Sequence, residues 1–355
     1  MINTLYKFDG ELTAISPLAV NRPGDNFVSP RGSERLRRLP RAGIKQDNSP
    51  VYFPATTLRR LLRESAYHVV REAIQRDRAE PPFTLNTHMM LSSGVDITNR
   101  VLHESAEGRV DGELLLRARN PLLSLFGRWK LAGHLHVGNA IPADKSCLYI
   151  EGTGARQNDF ERHPELAELL SAADAERLRQ LMRGEIVTVT TAADIDEPPS
   201  ARKEPPITTK EKAGARKKNN VQDSNDQKSE SIRRPLEGFE AIRAGTTLRH
   251  AMRLDCSSPI ELGLLLASLR EASRRPLVGG HRNLGCGEIC GHYDILSWKA
   301  SAEIPEMLGA VQFGFDGFVV EGYELKRALM EWDSKAKNIF AHFDFNRFLI
   351  KEEVE

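Results

Sequence analysis

Between Asp194 and Arg234 the chain carries almost no large apolar side chain. The stretch EPPSARKEPPITTKEKAGARKKNNVQDSNDQKSESIRR is dominated by Pro, Lys, Arg, Glu, Ser and Asn. Such a segment cannot bury enough apolar surface to offset the entropy of ordering it. It contributes no core and is expected to be flexible in isolation. Any core must therefore come from the flanking stretches, 1–193 and 235–355, which in a chain of 355 residues are long enough to supply one.

The first half of that insert is basic: from Ala201 to Lys218 there are seven Lys or Arg against two acids. The stretch from Arg22 to Arg63 holds ten against three, whereas Ser301 to Glu355 holds six against eleven acids. A formal net charge of +1 hides this segregation. Positive charge gathered in separate stretches of a nearly neutral chain marks either an anionic partner on one face or a set of unrelated solvated surfaces. Aromatics make up only 6%, so phosphate contacts rather than base stacking are the expected grip. Of the four cysteines, Cys147, Cys256, Cys286 and Cys290, no two form a CxxC pair, which argues against a zinc site. They read as reduced thiols of a cytoplasmic protein. The opening MINTLYKFDG has no apolar signal region, and no apolar run reaches the ~18 residues of a membrane span. The sequence calls for no cofactor and no membrane partner.

Local patterns give the elements. LYKFDGELTAISPLAV, Leu5 to Val20, alternates as a strand does and leads into a basic loop of Pro, Gly and Asn. Pro54-Ala55-Thr56-Thr57 then starts a helix with Leu58, Leu61, Leu62, Ala66, Val69, Val70 and Ala73 on one stripe. Arg59, Arg60 and Arg63 near its first turns oppose the helix dipole. They are either three solvated arginines or a sign of a phosphate bound at the helix start. Asn120–Gly127 reads as a short helix closed by glycine, Leu131–Ile141 and Cys147–Ile150 as strands, and Leu166–Arg183 as an amphipathic helix. His134 and His136 share a strand face, but no third metal ligand is near them in sequence. After the insert, Thr246–Asp255 reads as a strand, and Ser258-Pro259-Ile260-Glu261 is a capping box opening a helix to about Ser273.

The segment Arg274 to Gly287 interleaves Gly279, Gly280, Gly285 and Gly287 with Arg274, Arg275, His281, Arg282 and Asn283. Glycines let a backbone approach phosphate closely, and successive N–H groups form an anion nest. No GK[ST] ending follows, so this is not a Walker loop. A strand–basic loop–helix in the first half and a strand–helix–glycine loop–strand in the second form two β-α-β-like halves. The expected class is α+β, with a ferredoxin-like, RNA-recognition-type core carrying large insertions.

The segments FPATTLRRLLR at Phe53 to Arg63, NPLLSLFG at Asn120 to Gly127, RRPLEGFEAIRAGTTLRHAMRL at Arg233 to Leu254 and GGHRNLGCGE at Gly279 to Glu288 resemble the repeat-associated (RAMP) superfamily. The resemblance is to the backbone subunit that coats the guide RNA in CRISPR effectors, closest to the type IV system. It implies a palm made of 1–193 and 235–355, a flexible thumb at 194–234, and head-to-tail stacking as a helical filament along one crRNA. The implied partners are the crRNA, other copies of the chain, other effector subunits and a target nucleic acid held by guide pairing. The candidate RNA contacts are Arg22, Arg31, Arg35, Arg37, Arg38 and Arg41 in the basic loop, and Thr56, Thr57, Arg59, Arg60 and Arg63 on the helix. To these are added Lys203, Lys210, Lys217 and Lys218 in the insert, and Arg274, Arg275, Gly279, Gly280, His281, Arg282 and Asn283 in the glycine loop. Type III relatives cut target RNA with an acid in the loop after the first strand and a divalent metal. Here that loop offers Asp25 and Asp47, neither in a clear match to the type III pattern. The expectation is a binding scaffold without catalysis. The alternative is a Mg²⁺-dependent endonuclease using Asp25 or Asp47, with His68 or His281 as general base.

Overall fold

The computed structural model describes residues 4–20, 26–28, 35–42, 49–77, 83–104, 109–151, 154–155, 168–183, 235–236, 238–255, 258–299 and 303–350. The chain divides into two units, Met1–Gly152 with Glu237–Glu355, and Thr153–Leu236. The second unit begins at Thr153, ahead of the compositional change at Asp194. Residues 194–234 lie outside the described residues.

In the first unit the elements are β1 (Thr4–Ala14), β2 (Asn26–Val28), β3 (Arg35–Arg37), α1 (Ala55–Asp77), α2 (Leu85–Ser93), α3 (Arg109–Arg119), α4 (Pro121–Phe126), β4 (Leu135–Val137), β5 (Ile141–Pro142) and β6 (Leu148–Glu151). The second unit holds β7 (Gly154–Ala155), α5 (Ala172–Arg183) and β8 (Pro235–Leu236), with β7 and β8 paired antiparallel. The first unit resumes with β9 (Phe239–Ile242), β10 (Thr247–Leu254), α6 (Pro259–Ala272), β11 (Ile289–Lys299), β12 (Glu306–Gly314), β13 (Gly317–Val320), α7 (Tyr323–Ala336) and α8 (Ile339–His342). The fold class is α+β.

The main sheet runs β13-β12-β11-β1-β10-β4, with β5 also paired to β10, and every neighbouring pair is antiparallel. β1 and β4 therefore run parallel with β10 between them, and β10 and β11 run parallel with β1 between them. The units β1–α1–β4 and β10–α6–β11 interleave in the split β-α-β order. Alternation explains β1: Phe8 and Leu12 face the helices and are buried, while Asp9 and Glu11 are exposed. The strand ends at Ala14 rather than Val20. Beyond it Ile15 and Ser16 donate to Glu288 O, Pro17 has no N–H, and Leu18 bridges to Ile242 of a second sheet, β2-β3-β9-β6.

Helix α6 is apolar almost all round, and its buried residues run from Ile260 to Ala272. Such a helix needs neighbours on every side. It packs against α1, α4 and α7 as well as the sheet. Gly263 makes the α7 approach possible, because a Cβ there would stand 2.2 Å from Ala328 O. The Ser258 capping box and Pro at the first turn are both formed. α4 also forms as its sequence dictates, with Asn120 accepting from Leu123 N–H and Gly127 ending it at φ +67°. α5 is shorter than its periodicity predicts, because Ser171 accepts from Asp174 N–H and sets its start.

Two buried polar groups sit in the sheet. Tyr293 Oη–H donates to His250 Nδ1 at 2.6 Å, and His250 Nε2–H donates to Gly138 O at 3.1 Å. Burial pushes the Tyr293 phenol far up and the His250 imidazole down to about 4. The unfolded chain protonates His250 near 6.5, which the folded chain resists. Stability is therefore complete above that pH and declines as pH falls toward about 4, by up to about 3 kcal/mol from this residue alone. Thermal melts between pH 7 and 4 are expected to show this slope, and His250→Gln to flatten it. An equal slope in the variant would assign the loss to other groups.

Candidate nucleic-acid interface

Three arginines on the first turns of α1 have different fates. Arg59 donates to Leu135 O and, at 2.8 Å, to Phe126 O. Arg63 donates to Leu91 O at 2.9 Å, Met90 O at 2.8 Å and Gly127 O at 3.1 Å. Its fork closes the carbonyl ends of α2 and α4, which a helix leaves without partners. Burial, then the neighbouring Arg59 charge, lower Arg63 to about 10, and burial lowers Arg59. Both guanidinium groups are engaged by backbone carbonyls and hold helix ends. Arg60 is exposed and pairs with Glu64. The first N–H of α1 is taken by Asn139 Oδ1 at 2.8 Å rather than left for an anion. A cleft of about 540 Å³ over this end is bordered by Thr56, Arg60, Ser92 and Ser93, with Arg59 and Arg63 also lining it. Thr57 is half-buried.

The basic loop also divides. Arg41 is bidentate to Glu240, at 2.8 and 2.9 Å, and Glu240 also accepts from Leu39 N–H at 3.0 Å. Glu240 is 4% exposed, so this pair locks the second sheet and Arg41 is not a free surface cation. Arg38 is half-buried. Arg35 and Arg37 lie on β3, and Arg37 is exposed and in register with Phe239 of β9. Arg22 and Arg31 lie outside the described residues, as do Lys203, Lys210, Lys217, Lys218, Asp25 and Asp47.

The glycine loop is tied down more than its composition suggests. Gly280 N–H donates to Ala19 O at 2.7 Å, Gly285 N–H to Arg282 O at 3.1 Å, and Gly287 N–H to Pro17 O at 2.9 Å. Those N–H groups are spent within the chain and are not offered to phosphate. Gly279, at φ +77°, would carry a Cβ only 2.4 Å from Ala19 O, so its glycine serves the seam with the end of β1. His281 stacks on Phe239, centroids 3.9 Å apart and planes 8° apart. Arg37 is in register with Phe239, on which His281 stacks, so the β3 arginine and the glycine loop meet in one place, and burial and the Arg37 charge lower the His281 pKa. Arg282 and Asn283 are exposed beside it.

From Arg282 the basic surface continues into a cavity of about 530 Å³ between α1 and the end of α6. Arg71, Arg274, Arg275, Arg282 and His68 line it, with Glu64 and Glu271. Arg274 is paired with Glu271 at 2.8 Å and Glu72 at 3.2 Å. Among the described residues no carboxylate pairs with Arg71, Arg275 or Arg282. Arg37, Arg282, Arg275 and Arg71 thus form a cationic surface around His281, contributed by β3, the glycine loop and the middle of α1. Arg71 is absent from the sequence-derived set. The signal for it is spacing: Arg60, Glu64, His68 and Arg71 recur at i+4, i+4 and i+3 on one helix face.

The two strand histidines are engaged separately. His134 meets Glu261 at 2.8 Å, and His136 lies 3.3 Å from Asp255. Burial raises the Glu261 pKa, but the bond and charge of His134 and further hydrogen bonds hold it below the usual range. No group of three or more His, Cys, Asp or Glu is placed to hold a metal ion among the described residues. No helix among them is long and apolar enough to cross a membrane.

No family model matches the chain, and no curated protein matches it. Among solved structures it is similar to a chain of a "Type IV-B CRISPR Complex", with 15% identity over 84% of this chain and 92% of that chain, at a TM-score of 0.37. At that score the likeness does not establish a common fold.

Proposed function

We propose that the chain is a non-catalytic RNA-binding subunit that coats a guide RNA, in several copies, within a CRISPR ribonucleoprotein of the type IV kind. The observation that carries this is the cationic surface of Arg37, Arg282, Arg275 and Arg71 around His281. Residues far apart in sequence converge there, and three of the guanidinium groups have no carboxylate partner among the described residues. Unneutralised arginines on a shallow surface suit a run of phosphates and read no base sequence. The resemblance of the segments at Phe53, Asn120, Arg233 and Gly279 to RAMP backbone subunits supplies the guide RNA and the effector complex as the setting. Its implied contacts at Gly279, Gly280 and Asn283 then come from being near the RNA, since Gly280 N–H is already used.

Two measurements test this. Affinity for single-stranded RNA is expected to fall steeply with salt and to vary little with sequence. Mass per RNA is expected to rise in steps as the RNA lengthens, each bound copy raising the local concentration for the next. Salt-independent binding, or one copy per RNA at every length, would reject the coating role. Asp25→Ala and Asp47→Ala are expected to leave assembly and target pairing intact. Mg²⁺-dependent cutting of a paired target that either change abolishes would make the chain an endonuclease instead.

A further inference from the structure

Strand β13 is the last of its sheet, and among the described residues no strand pairs with its outer side. Its inner pairing fixes which backbone groups are left over. Ala310 and Glu321 exchange both backbone bonds. In an antiparallel ladder such pairs alternate, so the next one is Gln312 with Val319. The N–H and C=O groups of Phe318 and Val320 therefore point away from the sheet in a row.

Exposed edges of this kind are usually blunted by Lys, Pro, a bulge or an inward-pointing charge. The run Gly317-Phe318-Val319-Val320 has no Lys or Pro and no charged residue. Val319 is 53% exposed, and Phe315 before it and Tyr323 after it are more exposed still. A carboxylate stands at each end: Asp316 and Glu321 are both exposed, and neither forms an ion pair among the described residues.

We propose that this edge docks an extended segment of another protein as an additional strand. The segment carries apolar residues at alternate positions and a Lys or Arg near each end. Asp316 and Glu321 flank the four residues of β13, five residue steps or roughly 17 Å apart, so the two basic residues stand about five positions apart. The charge disfavours a second copy of this edge and phosphates as occupants. β13 of a second copy, paired antiparallel, would set Asp316 against Glu321 at both ends. The opposite edge of a second copy offers only the three residues of β4 and a β5 that ends in Pro142, which has no N–H. Phosphates would meet the same two carboxylates. Strand addition itself is a known mode of peptide capture, with main-chain bonds giving affinity and flanking side chains giving selectivity.

The test uses the full chain and two capped synthetic hexapeptides, Lys-Val-Thr-Val-Thr-Lys and its counterpart with Glu at both ends. Amide hydrogen exchange is followed at Phe318 and Val320. At a peptide concentration about ten times Kd, the Lys peptide is expected to slow exchange there about tenfold. The Glu peptide is expected to have no effect. The double variant Asp316→Lys with Glu321→Lys, both surface changes, is expected to reverse the preference. Three results each overturn the proposal: no protection by either peptide, equal protection by both, or protection that rises with protein concentration alone. The last would mark the edge as a contact between copies.

Discussion

Replacing Arg71, Arg275 and Arg282 together with Ala should lower affinity for single-stranded RNA by at least about a hundredfold near physiological salt. All three are exposed, and no described carboxylate depends on them. The fold is therefore expected to survive, with an unchanged melting temperature. Each phosphate contact on a single strand contributes about 0.7 to the slope of log K against log salt, so the triple variant is expected to lose about 2 from that slope. Titrations at four or five salt concentrations read both effects in one experiment. Arg274 is the internal control. Its guanidinium is already shared between Glu72 and Glu271, and Arg274→Ala is expected to cost much less. An unchanged slope in the triple variant would remove the phosphate role from this surface.

Arg63→Ala is expected to destabilise the first unit by on the order of 3–4 kcal/mol, among the largest effects of any single substitution in it. One guanidinium donates to three carbonyls at the ends of two helices, and its removal takes the donor from Leu91 O and Gly127 O, while Met90 O keeps Gly94 N–H. Arg63→Lys should recover little, because an ammonium cannot reproduce the planar fork. Arg60→Ala, three residues earlier and exposed, is expected to change stability by less than about 0.5 kcal/mol. Chemical denaturation of the three variants compares them directly. If Arg63→Ala were as stable as the parent chain and defective only in RNA binding, Arg63 would be a ligand after all.

The contrast between Arg60 and Arg63 shows how far sequence alone reaches. Features decided within one turn of chain are legible: the Ser258 capping box and the Gly127 helix stop formed where local pattern placed them, as did the stripe of α1 except at half-buried Val69, while the alternation of β1 held only as far as Ala14. The charge of the Arg59–Arg63 turn was legible too, but its use was not. The partners of Arg63 are carbonyls near residues 90 and 127, and carbonyls leave no trace in an amino-acid code. Arg41 was hidden in the same way by Glu240, some 199 positions later. The glycine loop was legible as a turn, but what its glycines touch was not. Gly279 is demanded by the backbone of Ala19, a contact no local motif encodes. Arg71 was recoverable in principle, since helix spacing puts it beside His68, but composition-based grouping into basic stretches stops at Arg63.

The central position of β1 has a consequence for how the chain is made. β1 is synthesised long before both its sheet neighbours, β10 and β11, which lie beyond residue 246. At roughly 5–20 residues per second of translation, the strand waits on the order of tens of seconds before either neighbour exists. Through that interval it is an apolar, alternating segment with both sides unsatisfied, and the loop that must close to pair it spans most of the chain. The second unit, 153–236, lengthens the delay without offering β1 a partner. Synthesis thus leaves β1 exposed to aggregation throughout that interval, which gives a holdase chaperone time to act on it.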